Sequence, residues 1–141
     1  MGSDDDAYVP PPEVHVRILG LRTGKVIIAR ENTDWIGNFE QEPVYPDSWF
    51  SLKDAGNGLH RIVSERDSYH PVLYSRQGPA PCAGQYAGGT EHDDQKFKFE
   101  MGSGLFSGYF RLVTPSEERV LTSGWGGMDN FWSGGGEYDD Q

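Results

Sequence analysis

Apolar and polar residues alternate most clearly at Lys96-Phe97-Lys98-Phe99-Glu100, where both phenylalanines fall on one face of an extended chain. Three shorter phrases share a pattern of their own: Val16-Arg17-Ile18-Leu19, His60-Arg61-Ile62-Val63 and Phe110-Arg111-Leu112-Val113. Each leads through a turn, such as Arg22-Thr23-Gly24-Lys25 or Thr114-Pro115-Ser116-Glu117, into a second apolar run. Those runs are Val26-Ile27-Ile28-Ala29-Arg30, Val72-Leu73-Tyr74-Ser75-Arg76 and Val120-Leu121-Thr122-Ser123-Gly124, close enough to their predecessors to predict hairpins. A long polar, Gly-rich loop is expected after each second strand. Another strand then follows at 49–52 and at 96–100, and Gly56-Asn57-Gly58 and Gly102-Ser103-Gly104 punctuate the step onward. No segment has the period of an amphipathic helix.

The last strand of each block opens on a recurring phrase: Tyr45-Pro46-Asp47-Ser48-Trp49-Phe50, then His92-Asp93-Asp94-Gln95-Lys96-Phe97, then Tyr138-Asp139-Asp140-Gln141. Phe50 and Phe97 are 47 residues apart, and Gln95 and Gln141 are 46 apart. A period of this size sets architecture, because one block cannot bury its apolar face alone. Three blocks of four short strands predict an all-β fold, a β-trefoil with a pseudo-threefold axis; a propeller with this period typically needs at least four blades. The expected organisation is a flexible Pro-rich lead-in at 1–12 and one domain at 13–141, with repeats at about 13–57, 58–104 and 105–141. A third phenylalanine would fall near position 143, so the last strand of the trefoil is expected to be missing.

Composition narrows the function. The 141 residues include 19 Gly and 9 Pro and are 35% hydrophobic, which suits one loop-rich β domain. A net charge of -10 disfavours nucleic acid and anionic membrane surfaces. Cys82 is the sole cysteine, so no disulfide forms within the chain. Neither a signal peptide nor a run long enough for a membrane span is seen, so a cytoplasmic or non-classically secreted protein is expected, without direct membrane insertion.

The Gly-rich loops gather the candidate chemistry. The first block offers Arg30, Trp35, Asn38, Tyr45 and Asp47, and the second Arg76, Gln85, His92, Asp94 and Gln95. Asn38 precedes Phe50 by 12 residues, as Gln85 precedes Phe97. Such a set suits a sugar. A carboxylate accepts hydrogen bonds from adjacent hydroxyls, an amide donates and accepts, and an aromatic ring covers the C–H face of a pyranose. The plainer reading is that these residues cap loops and that the arginines pair with the aspartates as structural bridges.

His15 and His60 read as partly buried packing residues, His70 as surface, and His92 as a ring at the loop edge. A metal site at His92, Asp93 and Asp94 lacks the usual ligand spacing, and no cofactor is implied. Catalysis finds no convergent carboxylates, because Asp93-Asp94 and Asp139-Asp140 are adjacent pairs, and Cys82 sits in no nucleophile motif. Phe50, Phe97, Phe99, Trp49, Leu112 and Ile62 are the predicted core. Trp35, Tyr45, Trp125, Phe131, Trp132 and Tyr138 are expected exposed in loops. A trefoil protease inhibitor is the alternative, with Gln77-Gly78-Pro79-Ala80-Pro81 as bait.

Several phrases carry a resemblance: Tyr8-Val9-Pro10-Pro11, Val16-Arg17-Ile18-Leu19-Gly20, Val26-Ile27-Ile28-Ala29-Arg30, Tyr45-Pro46-Asp47-Ser48-Trp49-Phe50, Tyr109-Phe110-Arg111-Leu112-Val113-Thr114-Pro115-Ser116 and Tyr138-Asp139-Asp140-Gln141. From Tyr8 onward the chain resembles the amino-terminal β-trefoil lectin domain of the Laetiporus-type pore-forming lectin family. The resemblance implies a non-enzymatic module that binds galactoside-bearing glycans and glycoproteins of the lactose and N-acetyllactosamine type. It implies no pore activity, since nothing here corresponds to the aerolysin-like module. By position it favours the second-block set. The first block shares the amide step as Gly37-Asn38. The third keeps Phe131-Trp132 but has Ser133 and Gly124 where Asn and Arg are expected, leaving Asn130, Phe131, Trp132, Tyr138, Asp140 and Gln141 as its candidates. Glycan preference, the number of working sites and the oligomeric state are left open.

Overall fold

The computed structural model describes residues 7–8, 14–29, 36–42, 48–65, 72–77, 83–86, 92–124 and 127–132. Among them run strands β1 (Ala7–Tyr8), β2 (Val14–Val16), β3 (Val26–Ile28), β4 (Gly37–Phe39), β5 (Phe50–Gly56) and β6 (Leu59–Ser64). They continue as β7 (Val72–Ser75), β8 (Ala83–Tyr86), β9 (Lys98–Met101), β10 (Phe110–Thr114), β11 (Arg119–Gly124) and β12 (Gly127–Trp132). Single 3₁₀ turns occupy Asp93–Gln95 and Gly104–Phe106, and no α-helix occurs among the described residues.

Three blocks are visible: β2–β5, β6–β9 and β10–β12. In each, the second and third strands form an antiparallel hairpin, with Ile27 opposite Asn38, Leu73 opposite Gln85 and Leu121 opposite Asn130. The segments expected to be pure loop therefore each contain a strand. Gly37-Asn38-Phe39 and Ala83-Gly84-Gln85-Tyr86 lack a β-branched run, so pairing with an apolar neighbour, not intrinsic propensity, extends them. Phe131 and Trp132, expected in a loop, likewise lie on β12, opposite Val120 and Arg119.

The first and last strands of the blocks wrap round the core. β5 joins β2 to β6, and β9 pairs with β10. Between them His60 and Phe97 exchange both backbone hydrogen bonds at 2.8 Å. Ala7–Tyr8, within the expected lead-in, pair with Glu100 and Phe99 of β9. The third block shows no fourth strand among the described residues, and 133–141 lie outside them.

Equivalent positions fill the centre: Phe50 with Phe97, Leu52 with Phe99, Ile62 with Leu112, and Ile27 with Leu73 and Leu121. Phe50, Phe97, Ile62 and Leu73 are fully buried, each such side chain contributing roughly 1.5–3 kcal/mol. Trp49, expected in the core, is exposed instead. Neighbours on an extended chain point to opposite sides, so once Phe50 turns inward Trp49 must face out. The Arg17 guanidinium covers its ring at 6.0 Å.

The two strand histidines also part company. His15 is exposed, with Nδ1 2.6 Å from Glu65 Oε2. His60 is 2% exposed, packed edge-on to Phe99 at 5.9 Å, and its Nδ1 has no hydrogen-bond partner among the described residues. Burial lowers its pKa, and the facing Asp54 opposes that only in part. The unfolded chain then takes a proton at His60 before the folded one does. The stability tied to His60 is complete above the usual histidine value of about 6.5 and is lost as pH falls below it. Val16 holds the equivalent place in the first block, so His60→Val should flatten the loss of urea stability between neutral pH and about pH 5. Equal acid losses in the two proteins would show that His60 is not responsible.

Candidate functional site

The second block carries the best-described candidate residues. Its 3₁₀ turn closes through hydrogen bonds from Gln95 N–H to His92 O and from Lys96 N–H to Asp93 O, both 3.1 Å. Gln95 points inward, 1% exposed, and its Oε1 accepts the His92 N–H at 3.3 Å. Phe97, two residues on, is anchored in the core. With Gln95 turned in, His92 and Asp93 are left exposed and Asp94 half-buried. Lys96 pairs with Asp93 at 3.2 Å on the outer side, where such a pair adds little stability.

The turn packs against β7 and β10. Arg76 follows β7, and its guanidinium lies over the Tyr74 ring at 4.8 Å. Its Nε is buried with no hydrogen-bond partner among the described residues. Burial raises the Asp94 pKa. His92, Arg76 and a backbone hydrogen bond draw it back down, while Glu117 pushes it further up. The structure thus brings Arg76, His92 and Asp94 together at the loop edge, with Gln95 buried in the same turn and Gln85 buried on β8 opposite Leu73.

Two residues that sequence reasoning did not assign to this site also belong to it. Glu117, in the turn between β10 and β11, accepts the Gln77 backbone N–H on Oε1 at 2.9 Å, and its carbonyl oxygen accepts Gln77 Nε2 at 2.8 Å. Gln77 directly follows Arg76. No repeat signal marks Glu117, because this contact runs between blocks and has no spacing along the chain.

The amide positions have a different use from the expected one. Asn38 Nδ2 donates to Ser123 Oγ at 3.0 Å and to the Gly124 carbonyl at 2.9 Å. Asn130 Nδ2 makes the same pair of bonds, to Ser75 Oγ at 3.0 Å and the Arg76 carbonyl at 2.9 Å. Each reaches the end of a neighbouring block's second strand. The register makes Asn130 the direct counterpart of Asn38 and Gln85. Both asparagines spend their donors joining blocks.

Of the other candidates, Arg30, Trp35, Tyr45, Asp47, Tyr138, Asp140 and Gln141 lie outside the described residues, as do His70, Cys82, Trp125 and residues 78–81 of the expected bait segment. The side chains of Phe131 and Trp132 do too. Among the described residues, no group of three or more His, Cys, Asp or Glu could hold a metal ion, and no helix is long and apolar enough to cross a membrane.

Solved structures show what this arrangement of strands is. A structure titled BEL beta-trefoil, in an apo crystal form, matches with a TM-score of 0.79 and 26% identity, over 95% of this chain and 92% of that one. The fold is a β-trefoil. A designed threefold-symmetric protein, ThreeFoil, agrees in fold, with a TM-score of 0.70 and 16% identity over 90% of this chain and 94% of that one. No protein-family model matches the chain, and no curated protein sequence does. At 95% coverage, all three blocks of the trefoil fall within the likeness to BEL.

Asn130→Ala removes both interblock bonds and strands the Arg76 carbonyl, which should cost about 1–3 kcal/mol in urea unfolding. A loss within experimental error would mean that the amide clamps do not hold the blocks together.

Proposed function

We propose that this protein is a non-catalytic sugar-binding module that recognises terminal galactosides of the lactose and N-acetyllactosamine type. The site is the edge formed by Arg76, His92 and Asp94, with Gln77 and Glu117 on its border. One observation carries the reading: Asp94 is kept half-buried beside a guanidinium at a loop edge, where desolvation raises its pKa. A carboxylate held at such a cost, with no role in the core, fits a ligand rich in hydroxyl donors. Arg76 supplies fixed donors, and the exposed His92 ring offers a face for the C–H side of a pyranose.

The β-trefoil likeness to BEL supports the fold that such a module needs, and the sugar-binding role and galactoside preference rest on the family resemblance of the sequence. The sequence offers Arg30, Trp35, Asn38, Tyr45 and Asp47 as candidates for a second site, and Asn130, Phe131, Trp132, Tyr138, Asp140 and Gln141 for a third. Several shallow sites on one rigid domain would act together on glycan-coated surfaces. The protease-inhibitor alternative is not favoured, and Gln77, at the start of its bait segment, is already tied to Glu117.

The electrostatics give this proposal a two-sided test. Because the Asp94 pKa is raised, the ionised form costs stability above that pKa, and the cost vanishes as pH falls below it. Asp94→Asn should therefore unfold at an equal or higher urea concentration at neutral pH, yet abolish second-site lactose binding in calorimetry. Undiminished lactose affinity in that variant would remove Asp94 from the site. No heat or spectral change with millimolar-range lactose in the wild type would end the galactoside reading.

A further inference from the structure

The second-block site is not made by the second block alone. The Asn130 amide fixes the Ser75 hydroxyl and the Arg76 carbonyl, and Glu117 fixes both the backbone and side chain of Gln77. All of these contacts come from the third block. The Glu117 contact brings a second carboxylate to a site that already holds Asp94, and the two are close enough to repel. Among the described residues His92 and Arg76 are the groups that favour the Asp94 charge, and Lys96 pairs with Asp93 on the outer side. Among the described residues, Arg76 and His92 thus stand against two carboxylates, on a chain whose net charge is already -10.

We propose that Glu117, supplied by the third block, is a specificity-determining residue of the second-block site, selecting uncharged galactosides over those that carry a sulfate or a carboxylate. The proposal rests on the galactoside reading above. A neutral sugar presents hydroxyl donors that both carboxylates can accept. An anionic substituent brings a third negative charge into a partly desolvated corner where two carboxylates already repel each other. Like charges at close range under partial solvent screening weaken binding about threefold to tenfold, and added salt narrows the difference.

The experiment compares lactose with lactose sulfated on its galactose ring, by calorimetric titration of the whole chain at low and high salt. The wild type should prefer lactose about threefold to tenfold at low salt and less at high salt. Glu117→Gln keeps an oxygen for the Gln77 N–H but removes the charge, so the ratio of the two affinities should fall below about twofold. Equal affinities in the wild type, or a ratio that Glu117→Gln leaves unchanged, would overturn the assignment while leaving the galactoside reading intact. Failure of the wild type to bind lactose at all would overturn both. Should Glu117→Gln fold poorly, equal affinities of the wild type for the two sugars would still overturn the assignment.

Discussion

The side-chain amide that one block extends onto its neighbour is the constraint on which the rest of this molecule depends. Asn38 and Asn130 each satisfy a hydroxyl and a backbone carbonyl at the end of a foreign strand, where β11 and β7 leave the core. Strand ends are where backbone acceptors lose their ladder partners, and a buried acceptor left without a donor costs as much as a hydrogen bond gains, or more. A primary amide offers two donors from one short side chain, so a single residue closes both. The same clamp recurs in symmetry-related places, joining the first block to the third and the third to the second.

That frame lets a small surface hold an expensive arrangement of charge. Phe97 locks the end of the 3₁₀ turn in the core, Gln95 ties the turn to His92, and Asp94 is left half-buried beside Arg76. Nothing in the packing of the core requires a carboxylate there. Arg76 gains from the Tyr74 ring beneath it, a contact that holds a guanidinium flat at little entropic cost. Preorganised groups of this kind pay the ordering cost of binding during folding, which matters for a shallow site with few contacts. Because Asn130 and Glu117 come from the third block, the site is sensitive to the join between blocks as well as to its own loop.

Much of the fold was legible from the chain. The 47-residue step between Phe50 and Phe97 marks two equivalent inward-facing residues, and the alternation at 96–100 correctly puts Phe97 and Phe99 on one buried face. The third strand of each block was not legible, because Gly37-Asn38-Phe39 has neither alternation nor β-branched residues and becomes a strand only through its partner. Trp49 and His15 were misjudged for a related reason. Apolar or bulky character does not say which side of a strand a residue takes, and one inward neighbour reverses it. At the site, the repeated phrase drew notice to His92 and Asp94, but it could not separate the exposed Asp94 edge from the buried Gln95 behind it. Glu117 and Gln77 were invisible, since contacts between blocks leave no mark in the spacing within a block.

The central claim is that a galactoside docks on the edge where the second and third blocks meet. Amide NMR spectra recorded during lactose titration test it most directly, because they locate binding residue by residue. The account predicts saturable shifts concentrated at Arg76, Gln77, His92 to Gln95 and Glu117, with the core strands β5 and β6 unmoved. A titration that leaves this group unmoved, or whose shifts cluster away from it, would contradict the account.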